Sequence, residues 1–167
     1  MKYWFDTEFH DDGYHVELIS IGVLAEDGRE YYAVSGDYNP QRANEFIRDH
    51  VLPHLGSARR RSQAEIRDDL LAFFSASGMP TEFWADHGEY DWIVLRQLFG
   101  NLMSWPKGWP KTAMDVEQYR LMLRAGAFPS DSVIAHNALE DARSVRERWR
   151  WLEGKWCAAG LVNQRDG

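Results

Sequence analysis

Up to Val34 the apolar positions of this chain follow a strand period, and from Asn39 onward a helical one. Residues 2–9 read as a buried strand, and residues 17–25 (Glu-Leu-Ile-Ser-Ile-Gly-Val-Leu-Ala) as a second. Asp12-Gly13 marks a turn between them, and Asp27-Gly28 is a hairpin signal leading into a third strand, Arg29–Val34. Asn39-Pro40 opens a helical stretch to about Leu52, with Phe46, Ile47, Val51 and Leu52 as its apolar positions. Ser62-Gln63-Ala64-Glu65 is a capping box, after which Ile66, Leu70, Phe73 and Phe74 continue one helical face until Gly78-Met79-Pro80. Glu82–Ala85 predicts a short strand and Tyr90–Phe99 a helix. Trp105-Pro106-Lys107-Gly108-Trp109-Pro110 reads as loop. A short strand near Thr112–Val116 and a helix to about Arg124 follow, and Asn137 caps a last helix from Ala138 to Trp156. The order predicts an α/β fold: three antiparallel strands, then alternating helices and strands in a mixed sheet flanked by helices.

Composition sets the scale. With 167 residues, 44% hydrophobic and 14% aromatic, the chain is expected to form one domain over residues 1–157 with a frayed tail over 158–167. No stretch has the length of a membrane span, and the start lacks the apolar region of a signal peptide. The single Cys157 excludes an internal disulfide and a cysteine-built zinc site. A cytoplasmic protein is the expectation. The net charge of −7 argues against a broad basic surface for nucleic acid. Arg59-Arg60-Arg61, the clearest basic run, reads as a solvated loop before a helix.

Part of that negative charge is concentrated where acids are costly. Asp6 and Glu8 interrupt Phe5-Asp6-Thr7-Glu8-Phe9, and their alternate positions put both carboxylates on one face of a strand. Two such acids repel and raise each other's pKa unless a cation lies between them. Oxygen donors without cysteine suit Mg²⁺ or Mn²⁺. Asp91, near the start of a helix, competes with Asp86, at the carboxyl end of the preceding strand, as a further site acid. His136 and Asp141 fall together at the start of the last helix, the histidine as a proton acceptor with an ordinary pKa of roughly 6.5. Taken singly, each segment has a plainer reading as a solvated strand end, a helix-dipole partner or a surface histidine.

Taken together, Asp6-x-Glu8, Tyr90-Asp91 and His136-x-x-x-x-Asp141-Ala142 resemble the three motifs of the DEDD 3′-to-5′ exonucleases, in the subclass with a histidine before the last aspartate. The likeness spans residues 3 to about 150 and implies a ribonuclease H-like fold. It also favours Asp91 over Asp86, which stands where many members carry asparagine. Trp4–Phe9, Glu17–Val23, Glu26–Ser35, Gly88-x-Tyr90-Asp91 and His136-x-Ala138-Leu139-x-Asp141-Ala142 are similar to the bacterial polyadenylate-specific 3′-exoribonuclease AS family. That resemblance implies a homodimeric, Mg²⁺-dependent enzyme trimming adenylate-rich, single-stranded 3′ ends and releasing AMP. It implies two metals, about 3.5–4 Å apart, held by Asp6, Glu8, Asp91 and Asp141, with His136 deprotonating the attacking water.

The backbone at Thr7–Phe9 is then expected beside the terminal nucleotide, with Phe9 or Trp92 stacking on a base and Asp115 accepting a hydrogen bond from substrate. Trp105 and Trp109 are expected to be exposed, at the site or at a dimer contact. Two other functions remain open from the residues: the same chemistry on DNA or short oligonucleotides, and a catalytically silent nucleic-acid or nucleotide-binding module.

Overall fold

The computed structural model describes residues 1–78, 80–129 and 136–158, except for the side chain of Leu102. Three antiparallel strands, β1 (Lys2–Asp11), β2 (Val16–Ala25) and β3 (Glu30–Ser35), are joined by the two Gly-containing turns. After β4 (Arg60–Arg61), helix α1 (Gln63–Ser75) leads to β5 (Glu82–Ala85) and α2 (Glu89–Leu98). Then come β6 (Met114–Asp115), α3 (Val116–Met122) and α4 (Ala138–Ala158). The sheet order is β4-β3-β2-β1-β5-β6, with β5 and β6 parallel to β1 and β4 parallel to β3. This is the expected α/β, ribonuclease H-like mixed sheet.

The pleat of β1 sorts its side chains. Tyr3 and Phe5 enter a core with Ile66, Leu70 and Phe74 of α1 and with Val94 and Leu95 of α2. Trp4 faces the other way, into a smaller core with Val145 and Leu152 of α4. Asp6 and Glu8 share that second face, toward α4. The β1–β2 pairing slips immediately after Glu8: Glu8 opposes Ser20 but Phe9 opposes Leu18, so Ile19 is skipped. Ile19 therefore turns out of the larger core and into one with Val34, Ile47 and Val51.

Several expectations change. Residues 39–52 are not one helix. A 3₁₀ turn at Pro40–Arg42 is followed by a π-helical turn at Ile47–Val51 and a second 3₁₀ turn at Leu52–His54. The Asn44 side chain takes the Ile47 N–H at 2.9 Å and starts the segment afresh, and Pro53 has no N–H with which to continue it. Only Ile47 and Val51 of the expected face are buried there, and Phe46 is 54% exposed. Arg60–Arg61, read as loop, is a strand on β3. Trp105 and Trp109, expected at the surface, are buried against Phe83 and Phe99. The Trp105 indole N–H is satisfied by the Pro110 carbonyl at 2.8 Å. The capping box of α1 forms in both directions, Glu65 N–H to Ser62 Oγ at 3.2 Å and Ser62 N–H to Glu65 Oε2 at 2.8 Å. Of the tail expected to fray over 158–167, Ala158 is the last residue of α4 and residues 159–167 lie outside the described residues.

Candidate active site

Three elements converge on the middle of β1. Asp6 lies beside Gly22 of β2, and that glycine decides how closely α4 can approach. A Cβ on Gly22 would lie 2.2 Å from the Ala138 carbonyl oxygen and 2.3 Å from the Leu139 nitrogen. The backbone at the start of α4 therefore rests directly on the sheet, next to Asp6. The Asn137 side chain accepts from Leu139 N–H at 3.2 Å and Glu140 N–H at 3.3 Å, and the Asn137 N–H donates to Asp141 Oδ2 at 3.2 Å. This reciprocal cap fixes Asp141 in the first turn, aimed at β1. Carboxylate oxygens of Asp6, Glu8 and Asp141 all lie within 4.8 Å of one another.

Asp91 arrives from α2. Its Oδ1 accepts the Thr7 N–H at 2.8 Å and the Thr7 hydroxyl at 2.5 Å, which holds it at the β1 backbone at the residue between Asp6 and Glu8. The turn that delivers it is tight. Gly88 donates its N–H to Asp115 Oδ2 at 2.9 Å, and a Cβ there would meet the Ala85 side chain at 2.4 Å.

The electrostatics follow from this crowding. Burial is the largest cause holding Asp6 well above the usual carboxylate range, and the nearby charges of Asp91, Glu8 and Asp141 add to it. Burial, then Asp141 and Asp91, push Glu8 up to about 8. Burial likewise raises Asp91 to about 6, opposed by its two hydrogen bonds from Thr7. Three acids that resist ionising, Asp6, Glu8 and Asp91, with the Asp141 carboxylate beside them, are all hard oxygen donors and suit divalent cations of the Mg²⁺ or Mn²⁺ type, which would take the place of the retained protons.

All five residues expected to carry chemistry, Asp6, Glu8, Asp91, His136 and Asp141, line one cleft of about 270 Å³, together with Thr7 and Phe9. His136 stands at its rim in a left-handed backbone conformation (φ 45°). Its imidazole meets the Phe46 ring edge-on, with centroids 5.2 Å apart, and the His50 ring at 6.0 Å.

Asp86 also lines the cleft, but its carboxylate is ion-paired with Arg148 and lies 3.2 Å from His87 Nδ1. Its charge is met by a cation, whereas Asp91 shares the field of the other acids. Trp92 and Asp115 do not line the cleft. Trp92 packs inward against Phe5, Phe83 and Trp105, and Asp115 caps α3 through Gln118 N–H at 2.8 Å besides holding Gly88. Sequence reasoning passed over Arg148 and Gly22, and took Tyr90 only as part of the Tyr90-Asp91 motif. The Tyr90 ring stacks on Phe9 with centroids 5.4 Å apart and planes 18° from parallel.

Residues 1–152 match the family model described as the 3′-5′ exoribonuclease Rv2179c-like domain. The chain belongs to this family. As a member of the Rv2179c-like group it is an enzyme, a 3′-5′ exoribonuclease. Two relatives from Mycobacterium tuberculosis are each 43% identical over 156 residues, covering 91% of this chain and 93% of theirs. They are 3′-5′ exoribonuclease Rv2179c of strain H37Rv and 3′-5′ exoribonuclease MT2234.1 of strain CDC 1551. Among solved structures, S. pombe Pop2p in its Mg²⁺- and Mn²⁺-bound form aligns with a TM-score of 0.51 and 11% identity, covering 93% of this chain and 82% of Pop2p. That likeness is one of fold, and the fold is ribonuclease H-like.

Proposed function

We propose that this Rv2179c-like chain is a Mg²⁺-dependent exoribonuclease of the DEDD class with a catalytic histidine. It removes nucleotides one at a time from the free 3′ end of single-stranded RNA and prefers adenylate. The supporting observation is the convergence of four mutually repelling carboxylates from β1, α2 and α4 with a histidine at the rim of the same cleft. Asp6, Glu8, Asp91 and Asp141 would hold the metal, two Mg²⁺ ions with Mn²⁺ as a substitute. When bound, the ions supply Lewis-acid polarisation of the scissile phosphate and a lowered pKa for the attacking water.

The remaining work belongs to the chain's own groups. His136 accepts the proton of the attacking water, as a general base worth roughly 10²–10⁴ in rate. Thr7 holds Asp91 in place, so its backbone and hydroxyl act through that carboxylate, and the backbone from Thr7 to Phe9 lies beside the terminal nucleotide. Phe9, backed by Tyr90, offers a ring to an unpaired base. The Arg148 partner keeps Asp86 out of the acid cluster. The products are nucleoside 5′-monophosphates, AMP from adenylate ends. Residues 1–157 make up the catalytic domain, and by resemblance it works as a cytoplasmic homodimer.

End-labelled oligomers of A, U and C, as RNA and as DNA, digested with Mg²⁺ or with EDTA and resolved by length, test this reading. The expected result is a one-nucleotide ladder from single-stranded RNA in Mg²⁺ alone, fastest on A and halted at a stable hairpin. With few phosphates gripped by a protein of net charge −7, affinity should depend only shallowly on salt. Internal cleavage or metal-independent hydrolysis overturns the reading. Equal rates on A and U remove only the base preference, and equal rates on DNA remove the restriction to RNA.

A further inference from the structure

A second cavity, of about 500 Å³, opens between the end of α3 and the last turns of α4. Met122, Leu123 and Arg124 come to it from the end of α3, and Lys155 and Trp156 from α4. The Trp156 ring is backed by Tyr119, with centroids 6.0 Å apart. Nearby arginines are engaged: Arg120 by Glu117, Arg148 by Asp86 and Arg150 by Glu147. Among the described residues, Arg124 and Lys155 have no carboxylate partner. Arg124 also occupies a backbone position that suits another residue. It follows α3 in the left-handed region, at φ 51°, where helices commonly place glycine and where any residue with a Cβ is strained. Strain kept at such a position points to a use for the side chain.

The cavity continues a stripe that begins in the catalytic cleft. Arg148 lines the cleft, and Lys155, seven residues on, lies on the same face of α4. Between them Phe128 packs on the Arg148 guanidinium at 5.1 Å and on the Trp151 ring at 5.5 Å, and Lys155 Nζ stands 5.2 Å over Trp151. Cations interleaved with aromatic rings are what a single strand of nucleic acid follows, the cations taking phosphates and the rings taking bases. From Asp141 to Lys155 the helix rises about 21 Å, at 1.5 Å per residue. That is the rise of about six stacked nucleotides, at roughly 3.4 Å each.

We propose that the RNA strand upstream of its 3′ end runs along this stripe and seats one nucleotide in the α3–α4 cavity, its phosphate on Arg124 and Lys155 and its base against Trp156. This rests on the exoribonuclease reading of the cleft. The occupant is set by charge and by continuity: two uncompensated cations in a chain of net charge −7 call for an anion, and the strand leaving the cleft is a polyanion with aromatic bases. The cavity measures length and not sequence. A dinucleotide ends within the cleft, whereas a chain of about six nucleotides reaches the second cavity.

The test uses the full chain with Ca²⁺ in place of Mg²⁺, and calorimetry with unlabelled oligoriboadenylates of two to twelve nucleotides at several salt concentrations. For the wild type, affinity rises with length up to about six to eight nucleotides and then levels. The salt slope of the twelve-mer exceeds that of the dinucleotide by about 1.4, at roughly 0.7 for each of two phosphates. Arg124→Gly, which suits the left-handed backbone, combined with Lys155→Gln removes both cations and keeps the fold. The pair of changes weakens twelve-mer binding on the order of 10-fold, at up to about 5-fold for each exposed charge, and erases the additional salt slope. Lys155→Arg alone keeps both. An equal gain with length in the double variant and the wild type overturns the proposal, as does a loss of the same size for the dinucleotide and the twelve-mer. A lost length gain accompanied by a changed molecular mass in light scattering also overturns it, and assigns the cavity to contact between copies of the chain. A wild type that binds and cleaves short and long RNA equally well removes this site alone. One that neither binds nor cleaves any RNA removes the exoribonuclease reading itself.

Discussion

Adding a single methyl group at Gly22 should disable the site without touching any acid. In Gly22→Ala the new Cβ would lie 2.2 Å from a backbone oxygen, where ordinary contact begins at 3.4 Å. The start of α4 must therefore move by about 1.2 Å, the difference between those distances, or β2 must yield by as much. The obstructing atoms are backbone of Ala138 and Leu139, so no side-chain rotation relieves the clash. Overpacking of this kind costs about 1–3 kcal/mol, and at roughly 2–4 °C per kcal/mol in a chain of this size the Tm falls by about 2–12 °C. Asp141, in the first turn of α4, moves with it, and a displacement of about 1 Å in a positioned group costs on the order of 100-fold in rate. Steady-state hydrolysis of labelled oligoadenylate, with a thermal melt on the same preparation, checks both numbers. Gly154→Ala is the control: that glycine is exposed in the same helix with nothing within 4 Å of its Cβ, so it should keep full activity and gain up to about 1 kcal/mol. Wild-type turnover in Gly22→Ala would refute the claim that close approach of α4 sets the site.

Asp91→Asn should lose nearly all turnover while Asp86→Asn retains a substantial fraction, because the Asp86 charge is already met by Arg148; initial rates at saturating Mg²⁺ decide, and the reverse order would make Asp86 the ligand. His136→Ala should lower the rate by roughly 10²–10⁴ with Mn²⁺ affinity by calorimetry nearly unchanged, and loss of metal binding would make the histidine a ligand instead. Without metal, Glu8, raised from 4.5 to about 8, and Asp91, raised from 3.8 to about 6, keep protons in the folded state that the unfolded chain has released. The folded state then binds more protons, so stability falls as pH rises from about 4 to about 8, by up to about 1.4 kcal/mol per pH unit for each group, and levels off above that. Melts in EDTA check this, and a metal-free Tm that climbs between pH 5 and 8 contradicts it. Saturating Mg²⁺ should raise the Tm most at the alkaline end of that window.

What could be read from the chain was what depends on local period. Asp6 and Glu8 share a strand face because strands alternate, and Asp141 sits at a helix start because Asn137 is a good cap. Contacts between distant segments were not legible in this way. A glycine in a strand signals a close approach, but nothing local to Gly22 says that the approaching backbone is that of residue 138. The pairing of Asp86 with Arg148 crosses 62 positions, and with the two Thr7 hydrogen bonds to Asp91 it distinguishes in space two aspartates that only a motif resemblance distinguishes in sequence. Trp105 and Trp109 misled because their loop is written in Pro and Gly, whereas the large apolar area of two indoles draws that loop beneath α2 and against Phe83. Arg60–Arg61 forms a strand of two residues, too short for any period to reveal.

That brevity has a consequence for how the molecule meets its own kind. The outermost strands, β4 and β6, are two residues each, and the former is a pair of arginines. A long open margin invites a neighbouring chain to hydrogen-bond onto it and grow into an aggregate; a short, charged one does not. Each outermost strand pairs only two residues of its neighbour, Val34 and Ser35 of β3 and Trp84 and Ala85 of β5, so neither offers a long template of its own on which another chain could extend the sheet.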